Sequence, residues 1–168
     1  MAQRIPVIGR TVLIDLIGHA TKVPAKVDTG ADRSSVWATD VHVDKDGLLS
    51  FVLFGPESDY YTGEVIQRKN YKFSVVRSSN GHAQIRYRVQ FSVRIGAKRI
   101  KAIFTLADRS ANTYPILLGR RTLHKKFVVD VARAEVELEV ASQPKGLKAE
   151  FLKNPAKFHK KYHLKAPR

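Results

Sequence analysis

From Gln84 to Ile95 the chain alternates without a break: Ile85, Tyr87, Val89, Phe91, Val93 and Ile95 share one set of positions, and Gln84, Arg86, Arg88, Gln90, Ser92 and Arg94 the other. Side chains of a strand point to opposite faces with period two, so this pattern predicts a long strand buried on one face. Gly96-Ala97 allows a turn into the Ile- and Phe-rich stretch from Arg99 to Leu106. Upstream, Asn80-Gly81 is a dipeptide favoured at a type I′ hairpin because both positions tolerate positive φ. Tyr71 to Leu106 therefore reads as a meander of three strands. Shorter strands are predicted over Thr11–Ile17, Lys22–Val27, Ser35–Ala38, Leu48–Phe54, Phe127–Val131 and the alternating Glu135–Val140. Inside this body one short helix is predicted, Arg120–Lys125, directly after Gly119. Many short strands, with no βαβ rhythm and no internal repeat, point to a closed or sandwiched all-β domain.

The strand pattern ends where the charge pattern changes. Ser142-Gln143-Pro144-Lys145-Gly146 reads as a linker or turn. From Gln143 onward eight Lys and Arg face Glu150 alone, which places +7 of the chain's formal +15 in its last 26 residues. The expected organisation is a domain over 1–142 and a basic C-terminal extension over 143–168, partly helical or disordered. In the extension Leu147, Phe151, Leu152, Phe158, Tyr162 and Leu164 interleave with the lysines, a pattern for a short amphipathic helix that docks, with Pro155 breaking or restarting it. Two readings of the extension compete: a solvated basic tail packed on the domain, and an arm for RNA or an acidic partner.

Composition removes several kinds of chemistry. The chain has 168 residues, 43% of them hydrophobic and 27% charged, which suits one globular domain with a real core. Cysteine is absent, so disulfides, thiolate nucleophiles and cysteine-ligated zinc are excluded. The most apolar early run, Thr11 to Gly18, is short and contains Asp15, and the N-terminus lacks the order of a signal peptide. A soluble, cytoplasmic protein without a membrane partner is the expectation.

The candidate chemistry lies in Val27-Asp28-Thr29-Gly30-Ala31, directly after a predicted strand. Asp28 supplies a carboxylate able to polarise a water, Thr29 a hydroxyl able to tie one loop to its counterpart, and Gly30 room for close backbone approach. Asp-Thr-Gly in this setting resembles the signature of aspartic proteases. Tyr114-Pro115-Ile116-Leu117-Leu118-Gly119-Arg120 supplies the second half: an apolar strand ending in Gly before a short helix. In retropepsin-like proteases such a strand, here Leu117, Leu118 and Gly119, braces the catalytic loop. The resemblance implies a retropepsin-like closed β-barrel, the acid protease fold, with one short helix after the Leu-Leu-Gly strand. The span between the two segments exceeds that of a viral retropepsin, so extra strands or an enlarged flap are expected.

Three segments narrow the resemblance: Ala25 to Ala31, Val76-Arg77-Ser78-Ser79-Asn80-Gly81-His82, and Leu117 to Leu123 followed by Phe127-Val128-Val129-Asp130. In that order they are similar to the bacterial retropepsin-like family often labelled "ATP-dependent zinc protease", over roughly residues 8–134. Members are often linked with ATP-grasp glutamate ligases that add glutamates to protein C-termini, which implies acidic, glutamate-rich peptides as a substrate class. The chain departs from the family at Leu106-Ala107-Asp108-Arg109-Ser110, where an Asn-Arg-Asp order is usual. That departure bears on substrate preference and leaves Asp28 untouched. The basic extension lies outside the resemblance.

An aspartic protease needs two carboxylates sharing one proton, and this sequence has one Asp-Thr-Gly. The inference is a symmetric homodimer with Asp28 of each subunit at the twofold axis. Thr29, Gly30 and Ala31 support the loop, Ala31 opening its substrate-facing side. Ser79, Asn80, Gly81 and His82 are the first candidate for a flap over an extended peptide, with Gly55–Gly63 the alternative. Arg86 and Arg88, on one strand face with Arg94, are candidate contacts to substrate carboxylates through guanidinium forks, against the plainer reading of a solvated surface. Trp37 reads as core or dimer packing. Asp130 reads as a partner for backbone or for an arginine such as Arg120 or Arg121.

No cofactor is expected. There is no HExxH, His19, His42, His82, His124, His159 and His163 are scattered, and no GxxxxGK[ST] loop is present, so neither zinc nor ATP is supported by the residues. The alternative to a peptidase is a catalytically silent domain of this fold that holds RNA, ribosomal protein or another polyanion on its basic surface. Nucleic acid would then bind through the basic tail; the peptidase reading is preferred.

Overall fold

The alternation in the sequence becomes a curved sheet that closes on itself. A computed structural model describes residues 4–77, 81–139 and 146–163. In chain order the strands and the first helix are β1 (Val7–Ile8), β2 (Thr11–Leu16), β3 (Ala20–Val27), β4 (Ser34–Val43), β5 (Leu49–Leu53), β6 (Val65–Arg68), β7 (Lys72–Arg77), β8 (Ala83–Ile95), β9 (Lys98–Ala107), β10 (Ile116–Leu118), α1 (Arg120–Leu123) and β11 (Val128–Val129). The hydrogen-bonded order β10-β3-β2-β8-β9-β4 is completed by pairing of β4 with β10, which makes a closed six-stranded barrel. Closure removes the exposed edges that an open sheet of these strands would carry.

Short β10 is the keystone. It runs parallel to β3, with Leu118 beside Val27, and antiparallel to β4, with Leu117 beside Ser35. Fully buried Ile14, Leu16, Val23, Val36, Phe51, Phe104, Ile116 and Leu118 fill the interior. Phe91 stands edge-on to both Phe51 and Phe104, at centroid distances of 6.3 and 6.0 Å. β5 and β6 continue the sheet outward from the far half of β4. The Tyr71–Leu106 meander is present as β7, β8 and β9, with Gly96 at φ +58 in the turn between the last two.

Three expectations change. The β8 face carrying Ile85 and Tyr87 is buried only from Val89 onward, and Ile85 is 64% exposed. β9 pairs with Arg88–Ile95, whereas residues 83–87 pair only with β7 among the described residues, so half of the strand leaves the barrel as a two-stranded arm. Residues 135–139 form no strand, although Ala134, Val136 and Leu138 are half-buried and Glu135, Glu137 and Glu139 exposed as the alternation requires. Glu135 N–H donates to Thr11 O and Leu138 N–H to Tyr114 Oη, but no neighbouring strand completes a ladder among the described residues. The strand expected over Phe127–Val131 shrinks to the two residues of β11, which pair with β1.

By chain contacts the molecule divides into two units, Met1–Leu138 and Glu139–Arg168. The second holds α2 (Leu147–Lys153) and α3 (Pro155–Tyr162). Asn154 ends the first helix and caps the next, its Oδ1 accepting Lys157 N–H at 2.9 Å, and Pro155 occupies the first turn, where no amide hydrogen is needed. Phe151 and Phe158 meet edge-on, and Glu150 accepts from Lys161 and Tyr162. Among the described residues no helix is long and apolar enough to cross a membrane.

Candidate active site

β3 delivers Asp28 to the barrel wall beside β10. Asp28 N–H donates to Leu118 O at 2.9 Å, extending the β3–β10 pairing by one step. The chain then turns back: Asp28 Oδ1 accepts Gly30 N–H at 3.0 Å and Ala31 N–H at 3.1 Å, the side-chain-to-backbone turn that aspartate favours. One carboxylate oxygen is thereby fixed by its own loop. Oδ2 takes no hydrogen bond among the described residues. Asp28 is half-buried, with Thr29 and Gly30 exposed beside it.

The loop is clamped from behind. Arg120 N–H donates to Ala31 O at 2.8 Å and Arg121 N–H to Asp32 O at 3.2 Å, so the start of α1 grips the loop. Buried Ser34 accepts Gly119 N–H at 3.0 Å on its hydroxyl oxygen, which lies 2.6 Å from Thr122 Oγ1. A Cβ at Gly119 would sit 2.5 Å from the Arg33 carbonyl, so only glycine permits this approach. Leu118 is buried and Leu117 half-buried at the loop's flank. The expected bracing strand and the candidate active-site loop are thus brought together.

A cleft of about 510 Å3 opens beside Ala31, between this loop and the β7–β8 arm. Arg86 reaches its wall; Arg88 instead lines an adjoining cavity of about 290 Å3 that shares Arg33. Arg94 belongs to neither: it pairs with Asp15 at 2.6 Å. Ser79 and Asn80 lie outside the described residues. Gly81 (φ +79) and His82 are exposed at the far end of the arm and are not among the described lining of the cleft. The alternative flap, Gly55–Gly63, packs on the core instead: Tyr60 stands 5.8 Å from the Phe54 ring, and a Cβ at Gly55 would meet buried Trp37 at 2.5 Å.

Asp130 takes the backbone and arginine partners expected of it, but Arg120 and Arg121 are not those partners. Arg120 and Arg121 turn to Asp32, Arg121 Nε donating to both carboxylate oxygens at 3.1 and 2.9 Å. That hydrogen bond, helped by the charges of Arg121, Arg33 and Arg120, holds the Asp32 carboxyl below the usual carboxylate range. Asp130 pairs with Arg133 and accepts Ala132 N–H. Arg33 and Arg109, which the sequence reading did not assign to the site, both line the cleft. The available signals were the position of Arg33 three residues past Gly30 and the departure from the family order at Asp108-Arg109. Among the described residues no group of three or more His, Asp or Glu side chains is placed to hold a metal ion.

A family model described as RimB-like, retropepsin-like aspartic endopeptidase RimB, matches residues 7–139. A probable alpha-L-glutamate ligase of Shewanella halifaxensis is 28% identical over 146 residues, covering 78% of this chain and 31% of that protein. One of Shewanella pealeana is 28% identical over 116 residues, covering 64% of this chain and 24% of that protein. The chain spans about a quarter to a third of the length of these curated relatives. A crystal structure of a Legionella pneumophila protein of unknown function superposes with a TM-score of 0.59 at 23% identity, covering 77% of this chain and 95% of that one. At that identity the likeness bears on the fold.

Proposed function

The chain belongs to the RimB-like family of retropepsin-like aspartic endopeptidases, and from that premise we propose that it is a homodimeric peptidase whose two Asp28 carboxylates activate water against a peptide bond. The observation that carries this reading is the setting of Asp28: a half-buried carboxylate with Oδ1 fixed by Gly30 and Ala31 N–H, on a loop clamped by β10 and α1. A second copy of the same loop across a twofold axis completes the pair. Two carboxyl groups about 3 Å apart cannot both ionise readily, so they share one proton and titrate as a unit.

The unprotonated member takes a proton from water as its oxygen attacks the carbonyl carbon, and the protonated member gives its proton to the carbonyl oxygen. Collapse of the tetrahedral diol returns a proton to the departing nitrogen and breaks the C–N bond. Exposed Thr29 offers its hydroxyl to the partner loop. Acidic, glutamate-rich peptides or protein tails are the proposed substrates, supported by the net charge of +15 and by the naming of relatives as glutamate ligases.

Asp28→Asn tests the reading, with glutamate-rich and neutral peptides followed by mass spectrometry and the assembly state by light scattering. Loss of cleavage by a factor of roughly 10^2 to 10^4 with an intact dimer is expected. Undiminished cleavage by the variant would remove Asp28 from the mechanism.

A further inference from the structure

The cleft beside the active-site loop is walled by cations that the barrel does not neutralise. Arg109 stands on the segment between β9 and β10, half-buried, with Nε donating to Tyr114 O at 3.0 Å and Nη1 to Ser35 Oγ at 3.1 Å. Those two bonds fix the guanidinium plane. They leave Nη2 without an acceptor among the described residues. Among the described residues Arg86 donates only to Gln84 of its own strand, at 3.0 Å, and Arg77 at the end of β7 has no ion-pair partner. Arg33 lies 3.8 Å from Asp32, but the Asp32 carboxylate is already gripped by Arg121. Asp32 is the one acidic side chain in the described lining.

Such an arrangement works against the folded protein until an anion enters it. Burial pushes the Arg109 pKa down and the Arg86 charge pushes it further; burial likewise lowers that of Arg33, followed by Arg88 and Arg121. Across the strand pair from Arg86, the Ser74 hydroxyl is buried and has no partner among the described residues. Leu117 and Val75 add apolar wall, suited to the methylenes of a side chain ending in a carboxylate. The cleft begins at Ala31, so a peptide with its scissile bond at Asp28 would place a neighbouring side chain here.

We infer that this cleft is a substrate subsite for a carboxylate side chain, and that Arg109, with Arg86 beside it, determines the preference for an acidic residue next to the cleaved bond. Arg109 presents a planar, preset fork and Arg86 a second guanidinium, the geometry that favours carboxylate over an amide of the same shape. The inference deepens the peptidase reading and rests on it. It adds the wall of the site and the residue that reads the substrate.

The test compares two peptides that differ only by Glu or Gln at positions flanking the scissile bond, using the full-length protein and its Arg109→Gln, Arg109→Lys and Arg86→Gln variants. A charge-assisted hydrogen bond predicts a Glu-over-Gln ratio in kcat/KM of about 10 to 100 for the unaltered protein. The ratio should fall about tenfold in Arg109→Gln, chiefly through KM for the Glu peptide, and recover in part in Arg109→Lys. Arg86→Gln lowers it as well and carries the test if Arg109→Gln does not fold. An unchanged ratio in folded Arg109→Gln and Arg86→Gln overturns the subsite.

Binding of a fluorescent Glu peptide to Asp28→Asn separates this result from failure of the peptidase reading. If no peptide is cleaved, yet that binding is lost on adding Arg109→Gln, the carboxylate site stands and the peptidase reading falls. Equal binding with and without Arg109→Gln overturns the site, as does single-stranded RNA displacing Glu and Gln peptides alike.

Discussion

His19 lies in the turn between β2 and β3 with its ring edge-on to Phe91 at 5.7 Å, and its Nδ1 is buried without a partner among the described residues. Burial, seconded by the charge of Arg68, lowers its pKa below the usual value of about 6.5. The sign follows from linkage: the folded state resists protonation, so the stabilisation is complete above about pH 6.5 and is lost as pH falls toward the folded pKa. His19→Phe should therefore flatten the rise of Tm with pH across that window, as read by thermal denaturation from pH 5 to 8; an unchanged slope would assign the dependence to another group. Asp15, lowered first by Lys22 N–H and then by Arg94, acts in a separate window, losing its contribution only as pH drops below about 3.9. At this scale the placement of the candidate Asp28 at the end of β3 was legible because its signal is local, an Asp-Thr-Gly directly after a strand. Arg109 was not: 74 positions separate it from Ser35, and only barrel closure brings them together.

Among the elements, period two located β2, β3, β5, β7, β8 and β9 and the bracing β10, since each carries its alternation or apolar run within a few residues. It did not locate β1 or β6, two and four residues long, and it over-extended the burial of β8. Alternation says that one face can be buried; which neighbours reach that face is decided by partners distant in sequence. The same reasoning covers residues 135–139, where the pattern is kept and the ladder is missing. The junction of β10 and α1 is the element on which the Asp28 loop depends. Gly119→Ala forces a Cβ to within 2.5 Å of the Arg33 carbonyl and 2.9 Å of Ala31 O, both backbone, so relief requires moving the loop. The expected result is a loss of about 1–3 kcal/mol in denaturant unfolding together with reduced peptide cleavage. A variant as stable and active as the unaltered protein would show that the clamp does not position Asp28.

For the molecule as a whole, the basic charge and the single Asp28 lead to different tests. The charge divides between the barrel unit and the helical unit, and in the barrel Arg33, Arg77, Arg86 and Arg109 line one cleft beside the Asp28 loop, where the proposed acidic substrate would serve as their counterion. The single Asp28 carries the stronger constraint. If catalysis needs one carboxylate from each of two protomers, activity belongs to the pair, and an Asp28→Asn protomer should poison the protomer it joins. Mixing equal amounts of unaltered and Asp28→Asn dimers and allowing exchange leaves about a quarter of the dimers with both carboxylates, against half before exchange. Cleavage should therefore settle at about half its starting rate, over the time in which exchange is seen by fluorescence transfer between labelled subunits. A site complete within one chain would keep its starting rate throughout, because each unaltered protomer would carry everything it needs whatever its partner. Neither outcome depends on knowing the natural substrate, so the exchange experiment judges the paired-Asp28 mechanism separately from the arginine-lined cleft.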